Sequence, residues 1–123
     1  MAKILVVDDE MGIRELLSEI LSDEGHSVSL AENAAEARRV RGEMRPDLVL
    51  LDVNMPGMDG IGVLKEITKA DPDAIVVMLT SLTSRHMIQQ AVELGASNYI
   101  RKDTPKEEIL AALQELIHEC FEQ

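Results

Sequence analysis

Five short apolar segments rich in β-branched residues recur along the chain, and they constrain its fold more than any other feature. They occupy residues 4–7, 28–31, 48–51, 75–79 and 98–100. The first, third and fourth are nearly continuous apolar runs, which is typical of strands buried on both faces of a parallel sheet. Between them, apolar residues recur at helical spacing, as over residues 13–21. The sequence therefore predicts five strands that alternate with five helices.

The residues between these segments support the same alternation. Gly25 and Gly95 follow the first and fourth predicted helices, as C-terminal stops. Thr104, Pro105 and Glu107 combine a capping box with a proline start, so the last helix is predicted to begin at Pro105. Five βα units are too few for an eight-stranded barrel. We expect an α/β fold, a (βα)5 doubly wound, flavodoxin-like parallel sheet of strand order 2-1-3-4-5, with residues 1–123 in a single domain.

The charge and cysteine content exclude several classes of function. The chain has 12 basic and 23 acidic residues and a formal net charge of −11. Such an acidic chain is not expected to bind nucleic acid or an anionic membrane, whereas Mg²⁺ or a basic partner suits it. A single cysteine excludes an internal disulfide. No apolar run approaches the roughly 20 residues of a membrane span, and we expect a cytoplasmic protein.

Polar side chains follow the predicted strands where each one ends. The carboxyl ends of parallel strands meet at one edge of a sheet, and ligands of open α/β sheets bind at that edge, where the strand order reverses. We therefore expect five residues to lie together there, namely Asp8, Asp9, Asp52, Thr80 and Lys102.

The chemistry of this predicted site follows from its charges. Three neighbouring carboxylates repel one another unless positive charge lies between them. Lys102 supplies one positive charge, and Mg²⁺, which prefers oxygen ligands, would supply two more. Asp52 could then attack a phosphoryl group as a nucleophile and form an aspartyl phosphate. Mg²⁺, Lys102 and the Thr80 hydroxyl would neutralise the phosphoryl oxygens, and the loop over residues 53–60 could offer backbone carbonyls to the metal.

Each of these residues also has an ordinary structural explanation. Asp8 and Asp9 could cap the first helix, and Asp52 could form a turn. Thr80 could be a buried residue at a strand end, and Lys102 could be solvated. Their joint occurrence at the ends of four strands favours a site. A calcium loop is excluded because the pattern that begins at Asp52 lacks its final Glu, and no nucleotide-binding glycine motif is present.

Four motifs in a fixed order carry a family resemblance. They are ILVVDDE at 4–10, DLVLLDVNMPGMDG at 47–60, VVMLTS at 76–81 and GASNYIRK at 95–102. With them the chain resembles, over essentially its whole length, the receiver domain of bacterial two-component response regulators. The resemblance implies that Asp52 is the phosphoacceptor and that Thr80 and Lys102 contact the phosphoryl group. It implies a Mg²⁺ site made by Asp8, Asp9, Asp52 and the backbone carbonyl of Asn54.

The resemblance also implies a switch and a set of partners. Thr80 would move toward the phosphate and Tyr99 would change rotamer. The phosphoryl donor would be a phosphohistidine on a sensor histidine kinase or a histidine phosphotransfer protein. The fourth helix, fifth strand and fifth helix would contact a downstream effector, and phosphorylation-dependent homodimerisation through that face is left open. The domain would be a signalling phosphoacceptor that assists its own phosphorylation and dephosphorylation, and not an enzyme in the ordinary sense.

Two other interpretations remain to be weighed against this one. The family usually has proline after the lysine, whereas Asp103 follows Lys102 here. This departure makes the approach of Lys102 to the site uncertain and leaves open a pseudo-receiver that binds partners without phosphorylation. A phosphohydrolase of the haloacid dehalogenase type needs a second Asp two residues after its nucleophile. That position is Asn54, which cannot shuttle a proton.

Overall fold

The computed structural model describes residues 2–52, 60–80, 85–102 and 104–121. Within them, strands and helices alternate strictly along the chain. The strands are β1 (Lys3–Val7), β2 (Ser27–Ala31), β3 (Leu48–Asp52), β4 (Ile75–Thr80) and β5 (Asn98–Arg101). The helices are α1 (Met11–Asp23), α2 (Ala34–Met44), α3 (Gly60–Ala70), α4 (Arg85–Glu93) and α5 (Lys106–Phe121).

The strands form one parallel sheet in the order β2-β1-β3-β4-β5. This confirms the predicted fold class and strand order. The order reverses between β1 and β3, where Val7 pairs with Leu51. On the other side of β3, Asp52 pairs with Leu79 of β4. The ends of β1, β3 and β4 therefore lie side by side at one edge of the sheet.

The core divides into two layers, one on each face of the sheet. Successive residues of a strand point to opposite faces, so a strand with helices on both sides must be apolar throughout. Leu5 of β1 belongs to the layer under α2, α3 and α4, whereas Ile4 belongs to the layer under α1 and α5. Both are fully buried. Burial of a large aliphatic side chain contributes about 1.5–3 kcal/mol, so these strands hold the edge residues in fixed positions.

Helix ends agree with the predicted stops, and one helix start differs by a single residue. Gly25 and Gly95 have φ values of 89° and 105°, in the left-handed region that glycine adopts without strain. Arg45, which ends α2, also has a positive φ of 49°. Helix α5 begins at Lys106, one residue later than predicted. The Pro105 carbonyl accepts the first helical N–H groups, which makes Pro105 a flanking residue.

In the part of the chain that the structure describes, no helix is long and apolar enough to cross a membrane.

Candidate functional site

The carboxyl edge of the sheet gathers four acidic side chains. Asp8, Asp9 and Glu10 follow β1, and Asp52 is the last residue of β3. Each offers one carboxylate oxygen to a cluster whose oxygens all lie within 4.8 Å of one another. Asp8 and Asp52 are buried, and they are the only buried polar side chains among the residues described. Asp9 and Glu10 lie at the exposed rim of the same cluster.

Lys102 brings an ammonium group into the middle of this cluster. Its Nζ lies 2.8 Å from Asp52 Oδ2, 2.9 Å from Asp8 Oδ2 and 2.8 Å from Glu10 Oε1. Only 9% of the lysine side chain is exposed. The absence of a proline at position 103 therefore does not keep Lys102 away from the buried carboxylates. The structure brings Asp8, Asp52 and Lys102 together, and Glu10 joins them although the sequence analysis did not single it out.

Burial and charge shift two pKa values in the cluster. Burial raises the pKa of Asp8, and the Asp52 charge adds to the rise, while the Glu10 N–H and Lys102 act against it. For Lys102, burial alone would lower the pKa. Its contacts with Asp52, Glu10 and Asp8 outweigh that effect and raise the pKa above its usual value. The ammonium is thus held charged, and one positive charge faces four carboxylates.

The donor set fits a hard divalent cation. Asp8 Oδ2 accepts no hydrogen bond from any described residue. It lies 2.9 Å from Lys102 Nζ, but the lysine donates its hydrogen bond to Oδ1, so the contact with Oδ2 is electrostatic only. Because Lys102 is shared with Asp52 and Glu10, this buried oxygen keeps lone-pair capacity that a cation can use. Oxygen ligands of this kind, beside other carboxylates, are those that Mg²⁺ prefers.

Main-chain and side-chain contacts fix the position of Asp8. Its N–H donates to Ala31 O at 3.0 Å, and its Oδ1 accepts the Glu10 N–H at 2.9 Å. Its carbonyl accepts a hydrogen bond from Arg14 Nη1 at 2.8 Å. Arg14 is 14% exposed and its Nη2 lies 3.7 Å from Glu32. Arg14 was not predicted from the sequence, where its only signal is a basic residue near the start of an otherwise apolar helical stripe.

The other predicted site residues are described only in part. Asn54 and Asp103 lie outside the described residues. Thr80 ends β4, with its backbone opposite Arg101 of β5, and its side chain is outside the described set. Tyr99 lies on β5 with 44% of its surface exposed.

Comparisons with known proteins identify the family to which the chain belongs. Residues 4–114 match the response regulator receiver domain family. Sporulation initiation phosphotransferase F of Bacillus subtilis is 41% identical over 115 residues, which cover 94% of this chain and 93% of that protein. Chemotaxis protein CheY of Listeria monocytogenes is 37% identical over 115 residues, which cover 93% of this chain and 97% of that protein.

Solved structures give the same result at the level of the fold. Chemotaxis protein CheY4 of Vibrio cholerae aligns with a TM-score of 0.85 at 34% identity, over 94% of this chain and 98% of that chain. NtrX from Brucella abortus aligns with a TM-score of 0.87 at 35% identity, over 97% of this chain and 28% of that longer chain. The chain therefore belongs to the response regulator receiver domain family of two-component signal transduction.

Proposed function

We propose that this receiver domain takes a phosphoryl group onto Asp52 from a phosphohistidine on a sensor histidine kinase or a histidine phosphotransfer protein. Receiver domains are signalling domains that interact with histidine kinases and effector domains. The observation that carries the proposal is the position of Asp52. This buried carboxylate ends the central strand β3, beside further carboxylates, and its Oδ2 lies 2.8 Å from the ammonium group of Lys102, a side chain that is 9% exposed. We further propose that residues 1–123 form one such domain.

The chemistry proposed for Asp52 is a direct transfer. A carboxylate oxygen of Asp52 forms a bond to phosphorus while the bond from phosphorus to the histidine nitrogen breaks. The electron pair of that bond stays on the departing imidazole. Lys102 donates hydrogen bonds to the phosphoryl oxygens, and the Thr80 hydroxyl is a second donor. The proposed domain is a signalling phosphoacceptor that assists its own phosphorylation and dephosphorylation.

A metal ion completes the charge balance of the proposed site. Asp8, Asp9, Asp52 and the main-chain carbonyl of Asn54 would hold Mg²⁺, which supplies charge neutralisation for the phosphoryl oxygens. Asp8 supports this role because its buried Oδ2 has no hydrogen bond from the described residues. Asp9 supports it because it is exposed at the rim, where an ion can enter from solvent.

The proposed response to phosphorylation is a change in Thr80 and Tyr99. Thr80 lies at the end of β4, beside the strand that carries Asp52, and Tyr99 lies on the edge strand β5. We propose that α4, β5 and α5 form the surface that contacts an effector, and the 44% exposure of Tyr99 on β5 supports this. Phosphorylation-dependent dimerisation through this surface is a further outcome of the same switch.

Intact-mass measurement tests the acceptor directly. The protein is incubated with acetyl phosphate or phosphoramidate, each with Mg²⁺ or with chelator. We expect one phosphoryl-sized increment that requires Mg²⁺ and is absent in Asp52→Asn. Asp47→Asn is the matched control, because Asp47 lies at the opposite end of β3 and bonds the Lys3 N–H there. No increment from either donor in folded protein would contradict the proposal and favour a phosphorylation-independent pseudo-receiver.

A further inference from the structure

We propose that Glu10 is a positioning residue that retains Lys102 when a metal ion takes the buried carboxylates. This inference rests on the proposed function, because it concerns what happens to Lys102 once Mg²⁺ and the phosphoryl group are bound. Glu10 is neither the proposed acceptor nor one of the proposed metal ligands. It contacts the same ammonium group as the buried carboxylates Asp8 and Asp52.

The number of hydrogen-bond donors on Lys102 limits how many groups it can contact. An ammonium group has three N–H donors. In this structure they reach Asp8 Oδ1 at 3.1 Å, Glu10 Oε1 at 2.8 Å and Asp52 Oδ2 at 2.8 Å. All three donors are therefore in use. Lys102 can contact a phosphoryl oxygen only after it gives up at least one of these carboxylates.

Metal binding determines which carboxylates Lys102 gives up. A cation bound by Asp8 and Asp52 competes with the ammonium for the same buried oxygens. Among the described partners of Lys102, Glu10 is the one that neither the metal nor the phosphoryl group requires. Its carboxylate is 59% exposed, against 0% for Asp8 and 1% for Asp52. An exposed side chain can follow the ammonium at little cost, whereas the buried ones are fixed by the core.

The energetic cost of losing Glu10 differs between the metal-free and the metal-bound state. Without a metal, Lys102 keeps two carboxylate partners even if Glu10 is removed. With the metal bound, removal of Glu10 leaves the displaced ammonium without a carboxylate among these three. Loss of Glu10 therefore destabilises the metal-bound state more than the metal-free state. Glu10 thus supports metal binding through Lys102, and it keeps the ammonium beside the acceptor.

A double-mutant cycle on Mg²⁺ affinity, measured by titration calorimetry, tests this coupling. We expect Glu10→Gln to weaken Mg²⁺ binding about threefold or more when Lys102 is present. In a Lys102→Met background, the same change should weaken binding less than about twofold, because only the screened field of one exposed carboxylate is lost. Glu15→Gln is the matched control, since it makes the same charge change at an exposed position of α1.

The outcomes separate this inference from the proposed function. Equal weakening by Glu10→Gln in both backgrounds would show that Glu10 acts on the ion by charge alone and would overturn the inference. Unchanged affinity in both backgrounds would overturn it too, while wild-type binding and phosphorylation would leave the proposed function standing. If folded wild-type protein bound no Mg²⁺, both would fail. Circular dichroism of each variant confirms that it is folded.

Discussion

At the scale of single residues, the site contains charged side chains whose burial destabilises the folded protein. Asp8 is fully buried beside Asp52, and burial raises its pKa because the charged form is disfavoured there. Lys102 relieves only part of this cost, since it is shared with Asp52 and Glu10. Such groups are typical of sites where stability is given up for binding. The metal-free protein should therefore become more stable when the Asp8 charge is removed.

We predict that Asp8→Asn raises the free energy of unfolding of the metal-free protein by about 1 kcal/mol at neutral pH. The amide oxygen can still accept the Glu10 N–H, so the hydrogen bond that orients residue 8 is kept. Urea denaturation in the presence of chelator measures the effect. Asp9→Asn, the same change at an exposed neighbour, should alter stability by less than about 0.5 kcal/mol.

The pH dependence of this effect has a defined sign. The folded-state pKa of Asp8 is raised, so between the unfolded and the folded pKa the folded protein binds more protons than the unfolded chain. Wild-type stability therefore falls as the pH rises through that interval. The advantage of Asp8→Asn should be absent in acid below the ordinary Asp pKa and complete above the raised one. A constant advantage across this range would contradict the assignment to the carboxylate charge.

At the scale of helices and strands, the sequence was sufficient where one physical signal dominated. The apolar runs of β1, β3 and β4 predicted buried strands because strands between two helix layers have no solvent face. Gly25 and Gly95 marked helix ends because the left-handed conformation there suits glycine. The start of α5 was placed one residue early, since a capping pattern does not fix which carbonyl accepts the first helical hydrogen bond.

The candidate site was predictable only in part, for a different physical reason. The fold places strand ends at one edge, so Asp8, Asp52 and Lys102 could be expected near one another. The partners of a long side chain depend on its rotamer and on neighbouring charges, which local sequence does not encode. The contact between Glu10 and Lys102 and the bond from Arg14 to the Asp8 carbonyl are of this kind. They became visible only in the folded molecule.

Two glycines give a matched test of the helix ends. Gly95 has a φ of 105°, and a Cβ added there would lie 3.1 Å from Thr68 Cγ2. We predict that Gly95→Ala destabilises the protein by about 1–2 kcal/mol, from backbone strain and this close contact. In Gly42→Ala, within α2, the new Cβ meets no atom within 4 Å. This variant should gain about 0.5–1 kcal/mol through helix propensity. Thermal unfolding measures the melting temperature of each variant relative to wild type. Two changes of the same sign would contradict this account.

At the scale of the whole molecule, the strand order brings acidic residues that are distant in the sequence into a single site. The reversal between β1 and β3 places Asp8 next to Asp52, although 43 residues lie between them in the sequence. The chain as a whole has a formal net charge of −11, so any salt screens some repulsion and stabilises it. Specific ion binding must therefore be separated from this general effect of ionic strength.

We predict that Mg²⁺ stabilises the wild-type protein beyond an equal ionic strength of NaCl. Binding to the folded state alone should add about 1.4 kcal/mol at ten times Kd, because stabilisation follows the free ligand concentration. Asp52→Asn should show the NaCl effect but little of the Mg²⁺ effect, since it removes one of the two buried carboxylates. Asp8→Asn should behave in the same way, so its stability lead over wild type in chelator should shrink or reverse as Mg²⁺ is added. Thermal melts across a Mg²⁺ titration measure these shifts. Equal shifts in all three proteins would mean that Mg²⁺ acts only by screening, and the acidic cluster would then not be its site.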